Sequence, residues 1–504
     1  MTKDMLLQQA VVTILALTFS IAAATPAKAA NATLGELRFK NTDYPVQKLD
    51  RDLLPYNEPV PGPLYAKNST YDSEGVILYE AGGNTYDHPV WQAQFVLSAL
   101  SSYFHNNNPD YLAAARVNAD RLIAQKVEAR GAWYLPYHFG FPLHGAADDP
   151  MVAPWYSAMA QGVAISAMVR LYEVTQEPKY LEAADKFWAT FTNPRRPGEE
   201  EPWTVFVDDE GYLWFEEYAK YPQPDRAFNG HVFAIYGLYD YWPLTGNPTA
   251  KTLFQGGVSA VAAHIKKIRA WRGTSFYCLA HDVRSKVYHS IHTDQMYQLF
   301  AFTGDPSFAT WADLLDHDFP AYQAGGAGYV ASGTHSAVKV APSGKVVEER
   351  RFKLSAAESI HFGAREKLRG KSGIWLRVDD GTMAGYWVPE VPSQAFIKGL
   401  IGTRRFHPAR KVSLGEETQT GYHLSSLGGD VVAKPVSLTR AATRQIDGQA
   451  VWNGMLHFRI AEGDDAGKWV PAQEGFLLET KQRLPDIVEN LFYSVWRRVR
   501  LAVK

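Results

Sequence analysis

Residues 231–248 read HVFAIYGLYDYWPLTGNP, and this stretch decides the architecture. Its apolar and aromatic residues return at helical spacing up to Trp242. Gly246-Asn247-Pro248 then closes one helix and opens the next. Proline suits a first helical turn because its φ is already helical and it has no amide proton to leave unpaired. A glycine before it tolerates the sharp reversal. The same junction recurs as Asn107-Asn108-Pro109, Gln176-Glu177-Pro178 and Gly304-Asp305-Pro306, with successive prolines 69, 70 and 58 residues apart. That period fits a helical hairpin plus its connecting loop. Further segments with helical periodicity begin at Val90, Tyr111, Ala158, Tyr180 and Asp294. Hairpins stacked around a ring make an α/α toroid whose inner loops line a cleft; a plain helical bundle is the alternative. The expected fold is mainly α, an incomplete α/α toroid over residues 87–320 followed by an all-β region of two repeated modules.

A β-hairpin is expected inside the helical part, where Trp203–Val207 and Tyr212–Phe215 flank the turn Asp208-Asp209-Glu210-Gly211. After Pro320 the text becomes Gly-rich and strand-like. It repeats itself: Ile374–Val378 corresponds to Leu456–Ile460, and Ala384–Pro389 to Ala466–Pro471. Two β modules are therefore expected, at 325–400 and 412–475, joined by the basic run Arg404-Arg405-Phe406-His407-Pro408. Trp387 and Trp469 read as core residues of alternating strands, with sugar-stacking platforms as the other reading. Residues 31–86 read as an irregular N-terminal arm, and 484–504 as an amphipathic C-terminal helix with a basic end.

Bulk properties narrow the function. The net charge of −2 over 504 residues argues against a nucleic-acid partner, since phosphate binders carry a basic excess. Residues 1–30 have the layout of a secretory signal, an apolar stretch from Ala10 to Ala24 followed by Ala27-Lys28-Ala29. The expected location is outside the cytoplasm, periplasmic or secreted to the cell surface. Cys278 stands alone in the sequence, so no internal disulfide forms, and it reads as a compact apolar filler.

Three segments concentrate chemistry. They are Trp214–Tyr218 with Phe228-Asn229-Gly230, then Gly273–Tyr277, then Tyr288–Gln295. They read as loops on one face of the helical array. In extended chain Glu216 and Glu217 point to opposite sides, so one of them faces the cleft. This disfavours a close carboxylate pair of the glycosidase kind. His289 and His292 stand three apart without further ligands at a typical metal spacing, which favours a substrate or structural role, and no metal or other cofactor is expected.

These segments resemble the C-terminal catalytic domain of D-glucuronyl C5-epimerases. The resemblance runs from about Pro154 to Phe319. It is carried by Trp155-Tyr156-Ser157, Met159–Gly162, Val169-Arg170, Glu216-Glu217-Tyr218, Asn229-Gly230, Tyr236–Asp240, Tyr288-His289, His292 and Gln295-Met296. It implies removal of the C5 proton of a uronic acid within a polysaccharide and return of a proton to the opposite face. Such chemistry needs an acid/base group on each face and donors for the charge that develops on the carboxylate. By the resemblance, Tyr288 and either Glu217 or Tyr218 act as acid and base, and Tyr277 orients the sugar or stabilises charge. Gln161, Asn229, His289 and His292 are implied substrate contacts, and a homodimer is implied. The chain reads Tyr277-Cys278-Leu279-Ala280 where the family has Tyr-Asp-Leu-Arg. The arginine that would pair with a substrate carboxylate is absent, with Arg284 or Arg226 as replacements. The β modules loosely resemble polysaccharide-associated modules of exported bacterial proteins, which implies a cell-surface glycan as their ligand.

Two other functions are compatible with this sequence. A uronate polysaccharide lyase would remove the same proton and then eliminate the 4-linked sugar. A glycan-binding protein would use the helical domain without catalysis.

Overall fold

In the computed structural model, residues 29–472 are described, apart from 59, 147–148, 197, 199–201, 321–324, 414–419, 428–429, 440 and 442. The expected signal segment, but for its last two residues, and the expected helix at 484–504 lie outside the described residues.

The junction residues act in three steps. Asn107, Gln176, Gly246 and Gly304 adopt the left-handed conformation, with φ of 53°, 56°, 66° and 69°, and close one helix. The next residue caps the following helix: Asn108, Asn247 and Asp305 accept bonds from backbone N–H groups of its first turn. Proline then takes the first helical position. The result is four helical hairpins among the described residues. They are α1 (Pro89–Asn106) with α2 (Pro109–Ala124), α3 (Ala158–Thr175) with α4 (Pro178–Trp188), α5 (Phe228–Thr245) with α6 (Pro248–Ile268), and α7 (Lys286–Thr303) with α8 (Pro306–Asp318). The first helices pack in sequence, α1 on α3, α3 on α5 and α5 on α7, while α2, α4, α6 and α8 each lie against their own partner.

The α3–α5 crossing is very close. A Cβ on Gly162 would lie 2.4 Å from Ala234 Cα, and one on Gly237 would lie 2.2 Å from the Gly162 carbonyl. Arg170 and Asp240, buried at the same crossing, pair at 2.9 Å.

Residues 31–86 are more ordered than an irregular arm. Ala29–Leu34 pairs with Leu37–Thr42 as a hairpin, and Thr70–Tyr71, Ile77–Ala81 and Asn84–Asp87 form a small sheet. Leu37, Phe39, Tyr44 and Leu49 are buried in the main helical core. Tyr239 ties this stretch down by donating to the Gln47 carbonyl at 2.6 Å and accepting from the Leu49 amide at 3.0 Å. The hairpin expected around Asp208–Gly211 forms from Val205–Val207 and Leu213–Phe215.

Two sheets follow. In space the first runs Val346–Leu354, Gly333–Val340, Trp387–Pro389, Trp375–Val378, Glu358–Glu366, Gly326–Val330, Ala395–Ile397. The second runs Asp430–Ser437, Thr420–Leu427, Trp469–Pro471, Met455–Ile460, Thr443–Trp452, Leu400–Ser413. Six strands keep one order in both, the spatial counterpart of the sequence repeat. Trp387 and Trp469 occupy equivalent strands and are buried, which removes them as stacking platforms.

The basic run is not a link between modules. Arg404–Pro408 lies inside the strand Leu400–Ser413, so the second module begins near Leu400 rather than at 412. This strand docks on the helical domain. Arg404 bonds Asp294 and Asp316, and the fully buried Arg410 grips Asp313 through both terminal nitrogens at 3.0 and 2.6 Å. Buried guanidinium groups need such partners, and this need makes a strand of what reads as a linker.

Candidate active site

Glu216 and Glu217 do point to opposite sides, and each has its own task. Glu216 is fully buried and folds the loop that follows, accepting from the backbone amides of Tyr218 at 3.2 Å and Arg226 at 2.8 Å. Glu217 turns toward the tyrosines. Its Oε1 accepts from the Tyr277 hydroxyl at 3.0 Å, and the Tyr277 hydroxyl lies 2.9 Å from that of Tyr218. The Tyr288 ring packs edge-on against Tyr277, with centroids 4.4 Å apart. Glu217, Tyr218, Tyr277 and Tyr288 are thus one cluster. Glu217 and Tyr277 are buried, Tyr218 and Tyr288 half-buried at its open side. Trp155 and Phe141 form an aromatic wall beside Tyr218.

Local backbone holds this arrangement. Tyr277 sits where the segment 276–284 folds onto the entry to α5. Its carbonyl accepts from the Phe228 amide at 3.0 Å, and its amide donates to the Val283 carbonyl at 2.8 Å. Gly230 is required beneath Glu217: a Cβ there would lie 2.2 Å from Glu217 Oε2 and 2.6 Å from Glu217 Cβ.

Burial governs the charge states. It raises the Glu217 carboxyl to about 7, with the hydrogen bonds from Tyr218 and Tyr277 opposing the rise. It raises the phenols of Tyr218 and Tyr277 well above their usual 10, and the nearby Glu217 charge adds to this; Tyr288 is raised for the same reasons. The resting tyrosines are proton donors, and Glu217 is the group of the cluster that changes charge near neutrality. Its Oε2 is buried without a hydrogen-bond partner, as is Asn229 Oδ1.

Three of the four expected substrate contacts are structural. Gln161 is wholly buried in the core, accepting from the Leu135 amide at 2.9 Å and donating to the Trp133 carbonyl at 2.8 Å. His289 is buried between the Ser275 amide at 2.9 Å and the Leu315 carbonyl at 2.8 Å. His292 is buried against Phe228 with Nδ1 2.8 Å from the Ser275 hydroxyl. The two imidazoles anchor the segment leading into Tyr277 through Ser275. The segment Tyr288–Gln295 is helix, the opening turns of α7, and not a loop; its histidines fall on the buried face. Asn229 is buried in the first turn of α5 and gives its carbonyl to Gln295 at 2.9 Å.

Residues 128–316 match the family model described as D-glucuronyl C5-epimerase C-terminus. The match falls within the helical domain and covers less than half of the 504-residue chain. A D-glucuronyl C5-epimerase of Caenorhabditis elegans is 32% identical over 124 residues, covering 24% of this chain and 18% of that protein. An uncharacterized protein of Methanocaldococcus jannaschii is 27% identical over 169 residues, 34% of this chain and 52% of that one. The chain thus spans about half or less of the length of these relatives. Among solved structures, cellobiose 2-epimerase from Bacillus thermoamylovorans aligns at 13% identity and a TM-score of 0.37, over 49% of this chain and 65% of that one. A sugar epimerase from a ruminal bacterium aligns at 14% identity and a TM-score of 0.36, over 50% and 66%.

Beside the tyrosines lies a second cluster, which the sequence reading overlooked. His144, Asp225, Cys278 and His281 bring one donor atom each within 4.8 Å of all the others. Only Cys278 and His281 are neighbours in the chain, so their Cys-x-x-His spacing was the one signal available. The Arg284 guanidinium lies over Phe276 and pairs with Asp282.

Proposed function

We propose that this protein inverts C5 of uronic acid units within a polysaccharide. The observation that carries the reading is the connected set Tyr218–Tyr277–Glu217, closed on its other side by Tyr288. With Glu217 ionised, Tyr277 donates to it, and Tyr218 donates to Tyr277. Passing one proton along this line leaves Tyr218 as a phenolate able to take the C5 proton, while Glu217 holds the relayed proton and is neutral. Tyr288, half-buried and protonated, returns a proton from the other face. The enolate-like intermediate would gather negative charge on the substrate carboxylate, and the same tyrosine hydroxyls are the donors for it. No step requires a nucleotide.

In this reading the four-hairpin arc is an incomplete α/α toroid with the tyrosines at its mouth. The protein is exported, meets its polymer outside the cytoplasm, and uses the β modules against a cell-surface glycan.

The test is incubation with a panel of uronate polymers in deuterated water. Deuterium at C5 in chains of unchanged length supports the proposal. New unsaturated ends absorbing in the ultraviolet would make the protein a lyase, and binding without any exchange would make it a glycan-binding protein.

A further inference from the structure

We propose that His144, Asp225, Cys278 and His281 form a tetrahedral binding site for one divalent transition metal ion, zinc by chemistry. A thiol, two imidazoles and a carboxylate are the donor set that borderline-soft divalent ions take, and four such donors suit zinc. With ordinary zinc bond lengths, a tetrahedral site has N–O edges of about 3.3 Å and S–N edges of about 3.6 Å. The structure has His144 Nε2 to Asp225 Oδ2 at 2.9 Å and His281 Nδ1 to Asp225 Oδ2 at 3.7 Å. Cys278 Sγ lies 3.7 Å from His144 Nε2 and 3.5 Å from His281 Nδ1. These four of the six edges lie within about 0.4 Å of the tetrahedral values, and all four donor atoms lie within 4.8 Å of one another.

The surroundings fit the same assignment. Asp225 turns its other oxygen to Lys220 Nζ at 2.8 Å, and His281 presents its other nitrogen 3.7 Å from Asp149. Ligands oriented from behind by ionic partners are usual for metal sites. The His281 amide donates to Cys278 Sγ at 3.3 Å, which favours a thiolate. The charges balance as well: a thiolate with Asp225, Asp149 and Lys220 leaves two negative charges, which one divalent ion cancels. The Asp225 and Cys278 side chains are almost wholly buried, where uncompensated charge is costly.

This inference rests on the proposed reaction only for its consequence. The ion would join three distant segments, at 144, 225 and 278–281, and the middle of that knot is next to Tyr277. The His144 ring packs on the Tyr277 ring with centroids 5.5 Å apart. The four ligands close the coordination sphere, so the ion acts as a positioning element for Tyr277 rather than a seat for substrate.

The experiment uses the full chain, stripped with a chelator, reloaded with zinc or cobalt(II), and freed of excess ion by gel filtration. About one metal per chain by elemental analysis, and a thiolate-to-cobalt charge-transfer band with tetrahedral visible bands, are expected. C278S should lose the charge-transfer band, and H281A should lose tight binding, with circular dichroism checking that both stay helical. Wild type that retains well under one metal, or a C278S/H281A double variant that retains as much as wild type, overturns the site. Deuterium exchange is then compared for stripped and reloaded wild type. A fall of at least about 10-fold on stripping, reversed by zinc, is expected of a positioning ion; unchanged exchange overturns the positioning role while the site stands. Exchange absent in both forms on every polymer counts against the proposed reaction, and the metal stoichiometry still decides the site.

Discussion

Glu217→Gln should make the folded protein more stable at alkaline pH while abolishing its chemistry. Burial raises this carboxyl from 4.5 to about 7. The folded state therefore holds the proton more tightly than the unfolded chain does. The sign follows: the contribution is fully favourable below 4.5, where both states are protonated, and is lost as pH rises toward 7, where the folded state must ionise a buried group. At about 1.36 kcal/mol per pH unit, the loss between pH 5 and pH 8 is about 2–3 kcal/mol. Glutamine keeps the shape and the acceptor for Tyr277 but cannot ionise. Its amide nitrogen would fall where Oε2 lies without a partner, a cost that does not change with pH and so cancels. Glu216, raised to about 8 chiefly by burial with the Glu217 charge the last of its causes, is present in both proteins and nearly cancels. Urea unfolding of wild type and variant at pH 5 and pH 8 gives the double difference directly. The variant should gain about 2–3 kcal/mol on wild type across that interval. A double difference near zero, or of opposite sign, would mean that Glu217 does not titrate in the folded protein as its burial requires.

Other substitutions test the rest of the arrangement. Tyr288→Phe and Tyr218→Phe should each lower C5 deuterium exchange by about 10²–10⁴-fold, the usual worth of an acid/base group, with the circular dichroism of wild type. Gly230→Ala puts a Cβ against the stem of Glu217; a loss of about 1–3 kcal/mol by denaturant unfolding should accompany a drop in exchange of about 100-fold. Arg410→Ala leaves Asp313 without its bidentate partner and should cost about 3–5 kcal/mol in the same measurement. Lysine at 410 should not restore it, because a single ammonium cannot reproduce the two-pronged contact.

The local grammar of the chain was enough for its helices. A left-handed residue and a proline recur at four places, with a side-chain cap at three of them, and each acts within one turn of backbone, so no distant contact is needed to read it. The repeated strands were legible for the same reason, since the copies need only be compared with each other. The Glu216/Glu217 alternation likewise follows from extended geometry alone. The resemblance also named the four residues that the structure gathers into one cluster, yet it could not tell a ligand contact from an anchor. Gln161, His289 and His292 stand in motifs of the site, but their partners are the Leu135 amide, the Leu315 carbonyl and the Ser275 hydroxyl, which come from other segments.

Tertiary structure decided what depends on residues far apart in the chain. Arg404 and Arg410 look like a basic linker until Asp294, Asp313 and Asp316 approach from the helices. Cys278 looks like a filler until His144 and Asp225 arrive from 134 and 53 residues away. The charge of Glu217 is likewise a property of the fold, because burial and two phenols set it. The sequence by itself determined which segments turn, cap and pair, since those are short-range steric and hydrogen-bonding demands. Which polar groups would be buried together, and hence which could do chemistry, was decided only when packing removed water from between them.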